Sequence, residues 1–146
     1  DLKLPSESFD VVTLWDVVDH SEYPDRFLKE VYRILKPGGL VAMDTFMEDA
    51  LMFSIANAFY KLSLGLISYP SSKAHPIHHS HYFSQRTFRE FMKNNFFEII
   101  FEKKGYLEGE VVSLKGIGKK VVSFFNLLSK MTGKEMELLL IGRKTV

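Results

Sequence analysis

Two short apolar runs joined by one amphipathic stretch constrain this chain more than anything else in it. The first is "FDVVTLW", residues 9–15, and the second is "LVAMDTF", residues 40–46. In the first, apolar residues fall on both parities (Phe9, Val11, Val12, Leu14, Trp15), the pattern of a strand covered on both faces. Between the runs, Pro24 suits the first turn of a helix, and Phe27, Leu28, Val31, Ile34 and Leu35 repeat as one helical stripe. Glu22 and Asp25 near its start and Arg33 and Lys36 near its end complement the helix dipole. Pro37-Gly38-Gly39 then stops it. Strand, helix, turn, strand is a βαβ unit with a right-handed crossover. In such sheets ligands sit at the carboxyl ends of the parallel strands, and the first strand delivers Asp16, Asp19 and His20 there.

Downstream, residues 50–72 carry a single charge, Lys61. A membrane span needs about 20 predominantly apolar residues, and Ser54, Asn57, Lys61, Ser63 and Gly65 interrupt this run. The expectation is a helix lying on the domain. Ser84 reads as an N-cap. Phe88, Phe91 and Met92 mark a short helix ending near Asn94-Asn95, where asparagine would supply a left-handed cap. "FFEIIFE" alternates, with Phe97, Ile99 and Phe101 on one side and Glu98, Ile100 and Glu102 on the other, which suits an edge strand. Ile117, Val121, Phe124, Phe125, Leu128 and Met131 form another helical stripe. "MELLLIG" is nearly continuous and reads as a more central strand. No internal repeat or low-complexity linker breaks the chain.

With 146 residues, 46% hydrophobic and 25% charged, the composition is that of one globular domain. A net charge of +1 points to no nucleic-acid partner. The absence of cysteine removes a disulfide frame, a thiolate zinc site and a cysteine nucleophile, and is consistent with a cytoplasmic location. The opening "DLKLPSESFD" lacks the basic-then-apolar order of a signal peptide. It also starts on Asp1 without a methionine, as expected of a piece of something longer.

The ordered set "LPSESFDVVTLWDVVDHSEYPDRFLKEVYRILKPGGLVAMDT", "HHSHYFSQRTFREFMKNNFFEII" and "KEMELLLIGRK" resembles the S-adenosylmethionine-dependent methyltransferases of the Rossmann-like seven-strand class. The resemblance implies an α/β fold with a mostly parallel sheet, an antiparallel last strand and helices on both faces. It covers the family's C-terminal half, from just before strand four to strand seven. In the family's sheet order, 3-2-1-4-5-7-6, residues 9–15, 40–46, 96–102 and 136–142 would be strands four, five, six and seven. Strand six is the edge and strand seven lies inside it, as the alternating glutamates and the continuous apolar run separately suggest. The family's glycine-rich turn after strand one and its ribose-binding acid after strand two have no counterpart. The only G-x-G is Gly116-Ile117-Gly118, which follows no clear strand and reads as a local turn.

The resemblance implies S-adenosylmethionine as the methyl donor, with Trp15 and Asp16 against it and Asp1 near the adenine. Against this, Trp15 also reads as a core aromatic finishing a buried strand. Asp16, Asp19 and His20, at i, i+3 and i+4, would share one face of a helical turn. They offer a divalent-ion site as one reading and a hydrogen-bonded turn as the other, with His20 also a candidate base. His75, His78, His79 and His81 cluster in a loop that the family turns toward the methyl acceptor, which would make His79 or His81 a second candidate base; a zinc site and a polar loop with one histidine packed under "YF" are the other readings. Phe59 and Tyr82 are the candidate acceptor contacts. Residues 47–80 would form a lid over a small or lipid-like acceptor, or simply finish the core. Lys115, Lys119, Lys120, Lys130 and Lys134, with no acid among residues 111–134, allow peripheral membrane contact or a solvated helix face.

The expectation is thus one partial methyltransferase domain over residues 1–146, inactive on its own and able to self-associate through the edge of its first strand. The alternative is a non-catalytic binding or assembly module built on the same fold.

Overall fold

The computed structural model describes residues 3–64, 80–105 and 117–145. Four strands, β1 (Phe9–Trp15), β2 (Leu35–Phe46), β3 (Phe97–Gly105) and β4 (Glu137–Lys144), form one sheet in the order β1-β2-β4-β3. β1 runs parallel to β2, and β4 is antiparallel to both β2 and β3. Three strands therefore point one way and the last runs against them, as expected. The described helices are α1 (Pro24–Ile34), α2 (Leu51–Leu62), α3 (Gln85–Asn94) and α4 (Ile117–Thr132).

The core lies on one face of the sheet. Leu28 and Val31 of α1, and Phe88, Phe91 and Met92 of α3, pack there against Leu14, Val41, Met43, Phe97, Leu138 and Leu140. Each fully buried large apolar side chain contributes about 1.5–3 kcal/mol. Phe83 adds a tilted aromatic cluster, its ring 5.4 Å from Phe88 and 5.3 Å from Phe91. At the other end Lys144 is anchored beneath Tyr32, its Nζ 4.5 Å from the ring centroid and donating to the Leu35 carbonyl at 2.7 Å.

The elements differ from the sequence expectation in five places. β1 is not covered on both faces: only Leu14 is buried, while Val11, Thr13 and Trp15 face outward uncovered. It forms one edge of the described sheet, where among the described residues it pairs with β2 alone. β2 begins at Leu35 rather than residue 40, because "KPGG" is a bulge within the pairing rather than a gap before it. The register jumps from Phe9↔Leu35 to Val11↔Leu40. Gly38 takes φ 75°, and a side chain at Gly39 would meet the carbonyls of Lys36 and Asp10 at 2.9 and 3.2 Å. Lys36 Nζ clamps the bulge to both carboxylate oxygens of Asp10, at 2.8 and 2.9 Å.

The third difference is in β3, where a bulge at Ile100 lies between Ile99↔Gly142 and Phe101↔Ile141. One extra residue reverses the facing of all that follows, so Phe101 is exposed rather than paired with Phe97 and Ile99. Fourth, the cap of α3 is not a left-handed asparagine. Asn95 has φ −99° and Phe96 takes φ 64°, because the Asn95 amide is committed elsewhere, donating to Asp25 Oδ1 at 3.1 Å and to the Phe91 carbonyl at 2.9 Å. Fifth, the α4 stripe is not all internal: Phe124 and Met131 are exposed.

Other expectations hold. Ser84 caps α3 in a reciprocal box, its Oγ accepting from the Thr87 N–H while its own N–H donates to Thr87 Oγ1 at 2.8 Å. β3 is the opposite edge and β4 is internal. The apolar segment after β2 contains a helix, α2, which packs against α4. Among the described residues no helix is long and apolar enough to cross a membrane.

Candidate functional site

The site is built where β1 and β2 end side by side. Trp15 is in register with Asp44, so the two side chains neighbour one another on the face of the sheet opposite the core. Trp15 is 54% exposed. The chain then turns sharply. Asp16 adopts φ 53°, a left-handed conformation that aspartate tolerates better than most residues. Its N–H donates to Asp44 Oδ1 at 2.9 Å, tying the two strand ends together. Asp44 was not singled out from the sequence. The available signal was a lone acid near the carboxyl end of an otherwise apolar strand, where an ionisable group seldom sits without a partner.

From Asp16 the chain enters a 3-10 turn, Val18–His20. That turn brings Asp16, Asp19 and His20 together, as their spacing predicts. One ligand atom from each lies within 4.8 Å of the others. His20 Nε2 is 3.9 Å from Asp16 Oδ2, an ion pair when the imidazole is protonated. Asp19 is buried, whereas Asp16 and His20 are exposed. A carboxylate, a buried carboxylate and an imidazole can ligate a divalent ion or orient one another by hydrogen bonds.

A strap crosses this end of the sheet. The Asp19 carbonyl accepts the N–H groups of both Ser80 and His81, at 2.9 and 3.1 Å. Phe83 then bridges to Met47 beyond β2, and its carbonyl accepts the Glu48 N–H at 2.8 Å. Residues 80–83 therefore link the exit of β1 to the exit of β2. His81 Nε2 lies 3.4 Å from the Glu22 carbonyl oxygen and borders a cleft of about 380 Å³ between the start of α1 and the strap. Tyr23, Arg26, Phe83 and Phe91 complete much of that cleft, and Trp15, Asp16 and His20 are not among its walls. The structure thus groups Trp15, Asp16, Asp19, His20 and Asp44, and places His81 in a neighbouring cleft.

Tyr82, on the strap, is partly exposed. Phe59 falls within α2, and its side chain lies outside the described part. Asp1, His75, His78 and His79 lie outside the described residues. So does Gly116, while Gly118 falls within α4.

A βαβ unit feeding two adjacent strand ends, followed by a β4 inserted antiparallel inside β3, is a restrictive topology, and solved structures share it. One is an S-adenosylmethionine-dependent methyltransferase, possibly a histamine N-methyltransferase, from Thermotoga maritima. It superposes with a TM-score of 0.61 at 18% identity, over 99% of this chain and 60% of its own. The fold is that of a Rossmann-like methyltransferase. A second structure of this methyltransferase fold is geranyl diphosphate methyltransferase in complex with S-adenosylmethionine, with a TM-score of 0.58 at 12% identity, over 99% of this chain and 54% of its own. Residues 1–43, which include β1, the turn and α1, match the family model described as a methyltransferase domain. Among curated proteins, a ubiquinone biosynthesis O-methyltransferase from Pseudomonas savastanoi pv. phaseolicola is 35% identical over 60 residues, 40% of this chain. The aligned part is 26% of that relative's length.

Proposed function

We propose that this methyltransferase fold serves S-adenosylmethionine-dependent transfer of a methyl group to a small or lipid-like acceptor. The observation that carries the reading is the pairing of an exposed Trp15 with Asp16 and Asp44 at two adjacent parallel strand ends. An indole face and two carboxylates suit a ligand that is both aromatic and cationic, and the donor is an adenosine bearing a sulfonium. When bound, that sulfonium would supply an activated methyl group to the acceptor, with S-adenosylhomocysteine as the leaving group.

The residues' part is mainly positioning. Trp15 offers a flat apolar wall, Asp16 and Asp44 supply negative charge, and the Asp16–Asp44 hydrogen bond holds that wall in place. An oxygen acceptor also gives up a proton, and His20 is the base we assign to it, since its imidazole stands beside the Asp16 carboxylate. His81 lies over the neighbouring cleft and is the second choice.

An apolar acceptor is supported by the segment after β2. Leu51, Met52, Phe53 and Ile55 of α2 are all only half-buried, so it presents apolar surface near the carboxyl end of the sheet. The curated relative is by its name an O-methyltransferase of ubiquinone biosynthesis, which favours a lipid-like acceptor here. The exposed edge of β1 favours a second reading, a module that pairs with another chain.

The test is methyl transfer from labelled S-adenosylmethionine by the full-length protein. Trp15→Ala and Asp16→Asn should each raise the Km for the donor, and Trp15→Ala should leave the melting temperature unchanged because the side chain is largely exposed. Unaltered donor kinetics in both variants would refute the assignment.

A further inference from the structure

We propose that the outward face of α4 is a docking surface for an anionic lipid bilayer. On this helix Lys120, Phe124, Leu127, Lys130 and Met131 follow at spacings of four, three, three and one, which places them on one arc of the helix. All are exposed, with Phe124 at 57%, Leu127 at 57% and Met131 at 75%. The opposite side, at Ser129, is buried. An ordinary surface helix turns its large apolar residues inward, and this one holds three of them out, bracketed by lysines.

Charge selects the occupant. No acidic residue occurs from residue 111 to residue 134, so the face is cationic. Glu135, the next acid, is buried and has Lys104 Nζ at 3.3 Å, so it does not neutralise the surface. A second copy would bring lysines against lysines, which opposes self-association through this face. An anionic surface is complementary to it. The form of the face also suits lipid over an acidic protein. A single convex helix carrying Phe, Leu and Met between two lysines enters a fluid interface without needing a preformed groove, while the ammonium groups reach back to the headgroups. The neighbouring helix α2 packs against α4 and has the same character, with no acid from residue 50 to residue 64, with Lys61 and Leu62 exposed at its end and Leu64 exposed just beyond it.

The test is co-sedimentation of the full chain with vesicles of pure phosphatidylcholine and with vesicles of equal parts phosphatidylcholine and phosphatidylglycerol. Binding should appear with the anionic vesicles alone and fall as salt is raised. Replacing Lys120 and Lys130 together by alanine should lower the partition coefficient by about 25-fold. Phe124→Ser with Leu127→Ser should lower it by about tenfold or more. Both variants should melt with the parent, since the altered side chains are exposed. Equal binding to both vesicles, binding to neither, or full binding by the lysine variant overturns the proposal. So does a dimer in the parent that the serine variant abolishes, which would assign the face to a second copy.

Discussion

Asp16 takes a left-handed backbone conformation where glycine would be free of strain. A non-glycine residue held there costs on the order of 1 kcal/mol, and such strain gathers at functional sites. The Asp16→Gly variant separates the two roles of the position. It should hold or slightly raise the melting temperature, by relieving the backbone while keeping the N–H that bonds Asp44. It should lower donor affinity in the full-length protein, because the carboxylate is gone. Calorimetric titration with S-adenosylhomocysteine beside a thermal melt reads both, and unchanged affinity would remove the carboxylate from the site. Asp16, Asp19 and His20 were legible in the sequence because helical spacing is local. Asp44 was not, because its meaning depends on a partner 28 positions away and on a strand register that no local pattern encodes.

At the scale of elements, the joints between α3 and the sheet are close. A side chain at Gly142 of β4 would run into Met92 Cε and meet Phe97 Cβ at 3.0 Å. The methionine tip can move, but Phe97 Cβ is fixed to its strand, so Gly142→Ala should cost about 1–3 kcal/mol in chemical denaturation. An unchanged transition midpoint would mean that α3 packs less closely than this geometry requires. α3 also meets β3 through Arg89, whose Nε donates to Glu102 Oε2 at 2.8 Å. The hydrogen bond from Arg89 holds the Glu102 carboxyl below its ordinary value, against partial desolvation. A depressed carboxyl stabilises the fold fully above its unfolded value and loses that contribution as pH falls through the lower folded one. The parent should therefore lose more stability on acidification than Glu102→Gln does, by about 0.5–1 kcal/mol for a partly exposed pair. Parallel acid titrations that coincide would show that the pair is idle. The elements themselves were legible because their apolar periods are strong. The two bulges were not: "KPGG" reads as a stop, and Ile100 sits unmarked in an alternating run, since a bulge is a property of the pairing and not of either strand alone.

For the whole molecule, the most telling disagreement concerns β1. Its sequence asks for cover on both faces, yet among the described residues no strand pairs with its outer edge, and Val11 and Trp15 are each more than half exposed. A composition suited to the middle of a sheet has been placed at its rim. Two consequences follow for the chain taken alone. In a parallel pair the N–H groups of alternate residues point away from the partner, so those along Val11 to Leu14 should exchange with solvent far faster than the amides of β4, which is paired on both sides. An apolar strand with an open edge also invites pairing with a second chain, so the weight-average mass should rise with concentration. Val11→Lys should suppress that rise without lowering the melting temperature, since Val11 is exposed and a lysine on an edge strand opposes edge-to-edge contact. Hydrogen exchange and sedimentation equilibrium read these directly. A monomer at every concentration, with β1 amides protected as well as those of β4, would show that the strand is already satisfied and that its apolar sequence has another explanation.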